Sequence, residues 1–150
     1  GTEKCTAHAA QVERLAKDFS NCEQRGQPIR PAMVASLRSI LTRVDPADVY
    51  KDFVQGGCHF LLRRVAGSGE DLTSCTRAAT EALQRASSQT SLRLHFRALA
   101  CEWLAAVLLE QGEPERASRA AEAAVRHEAT PERHLSLGLC YMALAIREGR

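Results

Sequence analysis

The stretch Cys101-Glu102-Trp103-Leu104-Ala105-Ala106-Val107-Leu108 decides how this chain reads. Cys101, Leu104, Ala105 and Leu108 recur at the i, i+3, i+4, i+7 spacing of one helix face. Gly112 and Pro114 interrupt that helix, and a second one sets Ala117, Ala121 and Ala124 on a single face. Pro131 opens a third segment, in which His134, Leu137, Gly138 and Tyr141 fall in the same four inward slots. A helix pair whose beginning recurs after about one pair is the mark of a stacked helical repeat. Such stacks present surfaces to other macromolecules more often than they perform chemistry.

Outward from this stretch the chain reads as helical almost throughout. Alanine is abundant, β-branched residues are scattered, and no period-2 alternation is sustained. A first helix is expected over about 4–23, with Val12, Leu15, Ala16, Phe19 and Cys22 inward, ended by Gly26 and Pro28. A second, over about 31–44, opens on Pro31 and carries Val34, Leu37, Ile40, Leu41 and Val44. Asp45-Pro46 reads as a cap and first-turn proline for a third helix running to about Val65. Gly56-Gly57 in its middle costs about 2 kcal/mol against alanine, so a bend or break is expected there. Gly67-Ser68-Gly69 is a turn. Helices follow over about 70–87 (Leu72, Cys75, Ala79, Ala82 and Leu83 inward), 91–111 with Thr90 or Ser91 as cap, 114–128 and 131–147. Buried Leu61, Leu104 and Leu137 would each contribute about 1.5–3 kcal/mol.

The repeat extends backwards. Arg77-Ala78-Ala79-Thr80-Glu81-Ala82-Leu83 aligns with Arg119-Ala120-Ala121-Glu122-Ala123-Ala124-Val125 at an offset of 42 residues. Cys58, Leu61, Leu62 and Val65 align with Cys101, Leu104, Ala105 and Leu108 at 43, whereas from 101 to 134 the offset is 33. Unequal offsets imply loops of different length on a common helix pair; a generic alanine-rich bundle is the alternative. On these residues, 97–147 resembles the tetratricopeptide repeat (TPR) family. Its W-x2-L-G-x2-Y pattern is matched at the last three slots by His134-x2-Leu137-Gly138-x2-Tyr141, Gly112 stands at the turn, Ala117 and Ala124 hold the small positions, and Pro131 lies two places past the terminal proline. Residues 54–86 match weakly, and 1–45 carry no repeat signal. The resemblance implies an all-α, right-handed stack of about seven antiparallel helices in a single domain, with 1–45 an N-terminal pair or cap and 46–150 the repeat-like part. A fragment of a larger protein is expected, with the last helix either a cap or half of a repeat.

In that family the first helices of each pair line a groove. Carried over residue by residue, the exposed groove positions would be His59 and Arg63, then Glu102, Ala106 and Leu109, then Leu135, Leu139 and Met142. The surface would be basic toward the middle and apolar toward the C-terminal end. Family members that grip a terminal carboxylate place a Lys/Asn clamp at these slots; none stands here, which argues against such a ligand. Leu139 and Met142 instead suit a partner helix or an extended apolar peptide, or else pack under a further helix.

Composition leaves few other classes. The 150 residues are 45% apolar and 25% charged, with a net charge of +2, as in an ordinary globular domain. No apolar stretch approaches a membrane span, and no leader pattern opens the chain. Cys5, Cys22, Cys58, Cys75, Cys101 and Cys140 are spaced 17, 36, 17, 26 and 39 apart, unlike metal-ligand pairs. They read as buried reduced thiols and imply a cytoplasmic or nuclear protein. No nucleophile, phosphate-loop or zinc-protease motif occurs, His59 and Cys58 point to different helix sides, and no cofactor or metal is expected. The reading is a non-enzymatic protein–protein interaction module, a scaffold or adaptor segment. Its alternatives are a nucleic-acid binder using Arg63, Arg64, Arg77, Arg85, Arg93 and Arg97, and a structural dimerisation domain; the sequence leaves the oligomeric state open.

Overall fold

Prolines and glycines set several of the helix ends. The computed structural model describes residues 2–67 and 69–149, with the side chains of all but 2–6 and 70. Among the described residues there are seven helices and no strand: α1 (Thr2–Gln24), α2 (Pro31–Arg43), α3 (Lys51–Leu62), α4 (Glu70–Ser87), α5 (Leu94–Glu110), α6 (Pro114–His127) and α7 (Pro131–Arg147). Pro31, Pro114 and Pro131 each take the first turn of their helix, where a missing N–H costs nothing. Gly112 ends α5 in the left-handed region at φ 75°. There the Gly112 N–H donates to the Leu109 carbonyl (3.1 Å) and the Glu113 N–H to the Leu108 carbonyl (3.0 Å), which satisfies two orphan carbonyls. Gly26 does the same for α1, with Gln27 donating to the Cys22 carbonyl.

Three expected boundaries differ. Asp45-Pro46 does not start α3: the Asp45 and Asp48 carboxylates accept the backbone N–H groups of Ala47 and Tyr50, so 44–50 is held in local turns and the helix begins at Lys51. Gly56 and Gly57 do not break α3; both are buried in an uninterrupted helix, because burial of Phe53, Val54, Phe60 and Leu61 outweighs their poor propensity. Neither Thr90 nor Ser91 caps α5; the extended residue before it is Arg93, and Gln89 Nε2 donates to the Ser91 hydroxyl instead.

The chain divides into two compact units, Gly1–Ala82 and Leu83–Arg150, with the division inside α4. In the first, α1, α2 and α3 pack on one another. Val12, Phe19, Leu37, Ile40, Phe53 and Val54 are fully buried there. An Arg64–Glu23 ion pair at 2.7 Å ties the residues after α3 to the end of α1. In α4, Ala79, Ala82 and Leu83 are buried as expected, but Leu72 is exposed. In the second unit α6 packs on both α5 and α7, and α5 also touches α7. Cys101, Leu104, Ala105 and Leu108 are buried, but so are Trp103, Val107 and Ala100: α5 buries apolar residues around most of its circumference rather than on one stripe. Ala117, Ala121 and Ala124 line the buried face of α6, where side chains this small let neighbouring helices approach.

Candidate interaction surface

The last helix is held at both ends. At its start Thr130 caps it, accepting the Arg133 N–H at 3.1 Å. The Arg133 side chain, only 4% exposed, donates from Nε to Glu102 Oε1 of α5 (2.8 Å) and from one terminal nitrogen to the Glu128 carbonyl (2.9 Å) and carboxylate (2.7 Å). His95 Nδ1 lies 2.8 Å from the same Glu128 Oε1. One guanidinium thus joins α5, the 128–130 link and α7. Toward the other end, Tyr141 donates to Glu122 (2.7 Å) and Arg147 to Glu115 (2.6 Å), so α7 runs antiparallel to α6.

The two carboxylates of this network are pushed in opposite directions. Burial raises Glu102 above the usual carboxylate range, although Arg133 pulls it back. Hydrogen bonds from Arg133 and His95 hold Glu128 below that range. The Glu128 contribution to stability is therefore complete above its unfolded value, near 4.5, and is lost as pH falls through the lowered folded value. Glu102 acts in the reverse sense, since protonation relieves a buried charge. Glu128→Gln is expected to lose stability at neutral pH and to flatten the acid limb, read from thermal unfolding between about pH 7 and pH 3. An unchanged acid limb would contradict it.

Locking Arg133 fixes the rotation of α7. Arg133, Leu137, Cys140 and Leu144 form its inward row, with Arg133 and Cys140 buried. This corrects the expected inward set. Leu137 is only half-buried; His134, Gly138 and Tyr141 are exposed. A Cβ at Gly138 would meet nothing within 4 Å, so no close approach accounts for that glycine. On the opposite side runs a second apolar row: Leu135 (66% exposed), Leu139 (48%), Met142 (60%) and Ile146 (75%). With two apolar faces and only one of them packed within this unit, α7 has the pattern of a helix covered on both sides.

The other residues expected on a groove are placed differently. Glu102, Ala106 and Leu109 are half-buried on α5, and Glu102 is engaged by Arg133. His59 and Arg63 belong to the first unit. Arg63 is not exposed: at 7% exposure its guanidinium lies 4.2 Å from the centre of the Phe60 ring and donates to the Phe60 carbonyl, a cation–π stack that withdraws it from solvent. This withdraws Arg63 from any basic face, whereas Arg64 stays exposed and is paired with Glu23.

His59 lies half-buried in a cleft of about 410 Å³ with Arg38, Asp71, Ser74 and Cys75. Its Nδ1 is buried with no hydrogen-bond partner, and burial lowers its pKa. Among the described residues no cluster of His, Cys, Asp and Glu has metal-binding geometry. Cys22, Cys58, Cys75, Cys101 and Cys140 are all free thiols; Cys5 lies outside the described side chains. Burial drives the Cys58 thiol to about 12; Cys75, only partly buried, is also raised, by burial and then by Asp71. Iodoacetamide at about pH 8 is expected to label Cys75 at least tenfold faster than Cys58 in the native chain, read by peptide mass mapping. Equal rates would refute the burial of Cys58.

Comparison with known proteins adds no family. No family model, curated protein or solved structure matches the chain. No helix among the described residues is long and apolar enough to cross a membrane.

Proposed function

We propose that this chain is a non-enzymatic protein–protein interaction module of the TPR-like class, and that the outer row of α7 is where it takes a partner helix. The observation that carries the reading is the row itself: Leu135, Leu139, Met142 and Ile146 stand exposed on a helix whose opposite face is already packed. Surface of this kind, contiguous and apolar, is what a partner covers. The spacing suits a helix laid alongside, with anchors on one face. Support for the TPR-like stack comes from α5, α6 and α7, where short links join the helices, α6 packs on both neighbours, and the two flanking helices also touch. The five free thiols among the described side chains suit an intracellular, reducing setting. The nucleic-acid alternative loses ground, because two of its six arginines are engaged with Phe60 and Glu23.

The test is recovery of partners on the tagged chain, wild type beside Leu139→Asp/Met142→Asp. Both positions are exposed, so the fold is expected to survive by circular dichroism. Loss of most recovered partner with an intact fold is the expected result. Equal recovery by the two proteins would sink the α7 reading.

A further inference from the structure

We propose that the groove between the end of α4, α5 and α6 binds an extended acidic peptide, with two arginine poles gripping side-chain carboxylates about 10 Å apart. This site is separate from the outer row of α7 and goes beyond the helix-binding role given to that row.

The groove lies wholly in the second unit and encloses about 350 Å³. Arg116 and Arg119 stand on its α6 wall, Gln84 and Ser87 on its α4 wall, and no carboxylate lines it. Cys101 and Ala123 mark one end of its floor. One turn beyond them the two helices carry Arg97 and Arg126. Both guanidiniums act on the same two groups. Burial lowers His127 and these arginines lower it further, and both oppose the rise that burial imposes on the Cys101 thiol.

Three observations carry the inference. The first is missing counter-charge. Arg97 is half-buried, and its Nε is shielded from solvent with no hydrogen-bond partner. Among the described residues no carboxylate stands within ion-pair distance of Arg97, Arg119 or Arg126. Arg116 is paired with Glu113 at 3.1 Å but stays half-exposed. Polar groups held out of water are nearly always paired, so a shielded guanidinium nitrogen without a partner points to a counter-ion from outside the chain. The second is spacing. Arg119 and Arg126 are seven residues apart on one face of α6, which separates them by about 10 Å along the axis. A chain in the polyproline II conformation returns to the same face every third residue, after about 9 Å. Acidic residues at i and i+3 of such a chain meet the two poles in turn, each offered a guanidinium fork. The third is what lies between and beside the poles. The exposed Gln84 amide carries both a donor and an acceptor, and the Ser87 hydroxyl, which donates to the Gln84 carbonyl at 2.7 Å, keeps its lone pairs. Together they suit the N–H and C=O groups of a peptide main chain; a phosphodiester has no donor to offer them. On the flank of α6 toward α7, Glu115 and Glu122 are held by Arg147 and Tyr141. Carboxylates therefore bound the positive strip, which admits one narrow chain and repels a broad polyanion such as a nucleic-acid duplex.

Fluorescence anisotropy with the full chain reads the binding, using a labelled peptide with the core Glu-Pro-Pro-Glu at about 50 mM salt. A dissociation constant below about 200 µM is expected. Replacing both glutamates by glutamine should weaken binding at least tenfold, and placing them side by side (Glu-Glu-Pro-Pro) at least threefold. Arg119→Gln and Arg97→Gln/Arg126→Gln should each weaken it at least fivefold with an unchanged circular dichroism spectrum. Arg119 is exposed, so its variant decides the matter even where the double variant unfolds. Arg30→Gln/Arg43→Gln removes two charges from exposed positions of the first unit and should bind as wild type.

No binding of the acidic peptide at about 500 µM overturns the inference. Equal binding of the glutamine peptide does so too, as does an equal loss in the first-unit control, which would mean attraction to net charge alone. Binding untouched by Arg119→Gln overturns the placement in this groove. Equal binding of the side-by-side peptide overturns the two-pole spacing. A single-stranded oligonucleotide that binds more tightly than the peptide and depends on Arg119 overturns the choice of a peptide.

Discussion

Arg133→Ala is expected to destabilise the fold by about 2–3 kcal/mol, the largest effect of any single polar change here. Removing one member of a buried ion pair generally costs about 3–5 kcal/mol, because the other is left charged and unpaired. Arg133 is almost fully buried, but Glu102 and Glu128 retain 27% and 40% exposure. Water can reach both carboxylates once the guanidinium is gone, which places the loss at the lower end. The truncation also opens a gap between α5 and α7 and strips the Glu128 carbonyl of its donor. For a chain of this length the midpoint should fall by about 5–10 °C. Arg133→Lys keeps the charge but has no rigid fork with which to meet Glu102 and Glu128 together, so it should recover only part of the loss. Thermal and urea unfolding of the three proteins decide the matter. A loss below about 0.5 kcal/mol for Arg133→Ala would mean that the network does not hold α7 in place.

Phe53→Ala should be costlier still, about 3–5 kcal/mol, from lost transfer energy and an unfilled cavity. Phe53 is 0% exposed on α3, the helix that packs on both α1 and α2. No rearrangement of a surface loop can fill the space. Phe53→Leu keeps most of the volume and should lose about 1.5 kcal/mol or less. Leu94→Ala, at an exposed position on α5, is the control and should stay within about 0.5 kcal/mol of wild type. If Phe53→Ala and Leu94→Ala were equally mild, the buried core assigned to α3 would be wrong.

Some positions were legible from residue type alone, others not. The i, i+3, i+4, i+7 rows placed Val12, Phe19, Leu37, Ile40, Leu104 and Leu108 inside, because only one side of an amphipathic helix can leave water cheaply. Rows fail where a helix is apolar on more than one side. On α5 the pattern has no preferred direction, so the burial of Trp103 and Val107 could not be told from that of Leu104. On α7 two apolar rows compete, and the family-like slots selected His134, Gly138 and Tyr141, which lie outside. An arginine is the last residue a pattern would place inside, yet Arg133 is 3% exposed and sets which row faces inward. Arg63 misled for the same reason: nothing in its spacing revealed the Phe60 ring beneath it.

The sequence by itself determined the local structure: the helices, their proline starts at 31, 114 and 131, the glycine stops at 26 and 112, and the small-residue face of α6. These follow from backbone sterics and short-range hydrogen bonding, which act within a few residues. Only the tertiary structure decided that Gly56-Gly57 stays helical, that Arg63 and Arg133 are buried, and which row of α7 meets solvent. Those outcomes depend on groups far apart in the chain, Glu102 and Arg133 above all, whose meeting no local spacing encodes.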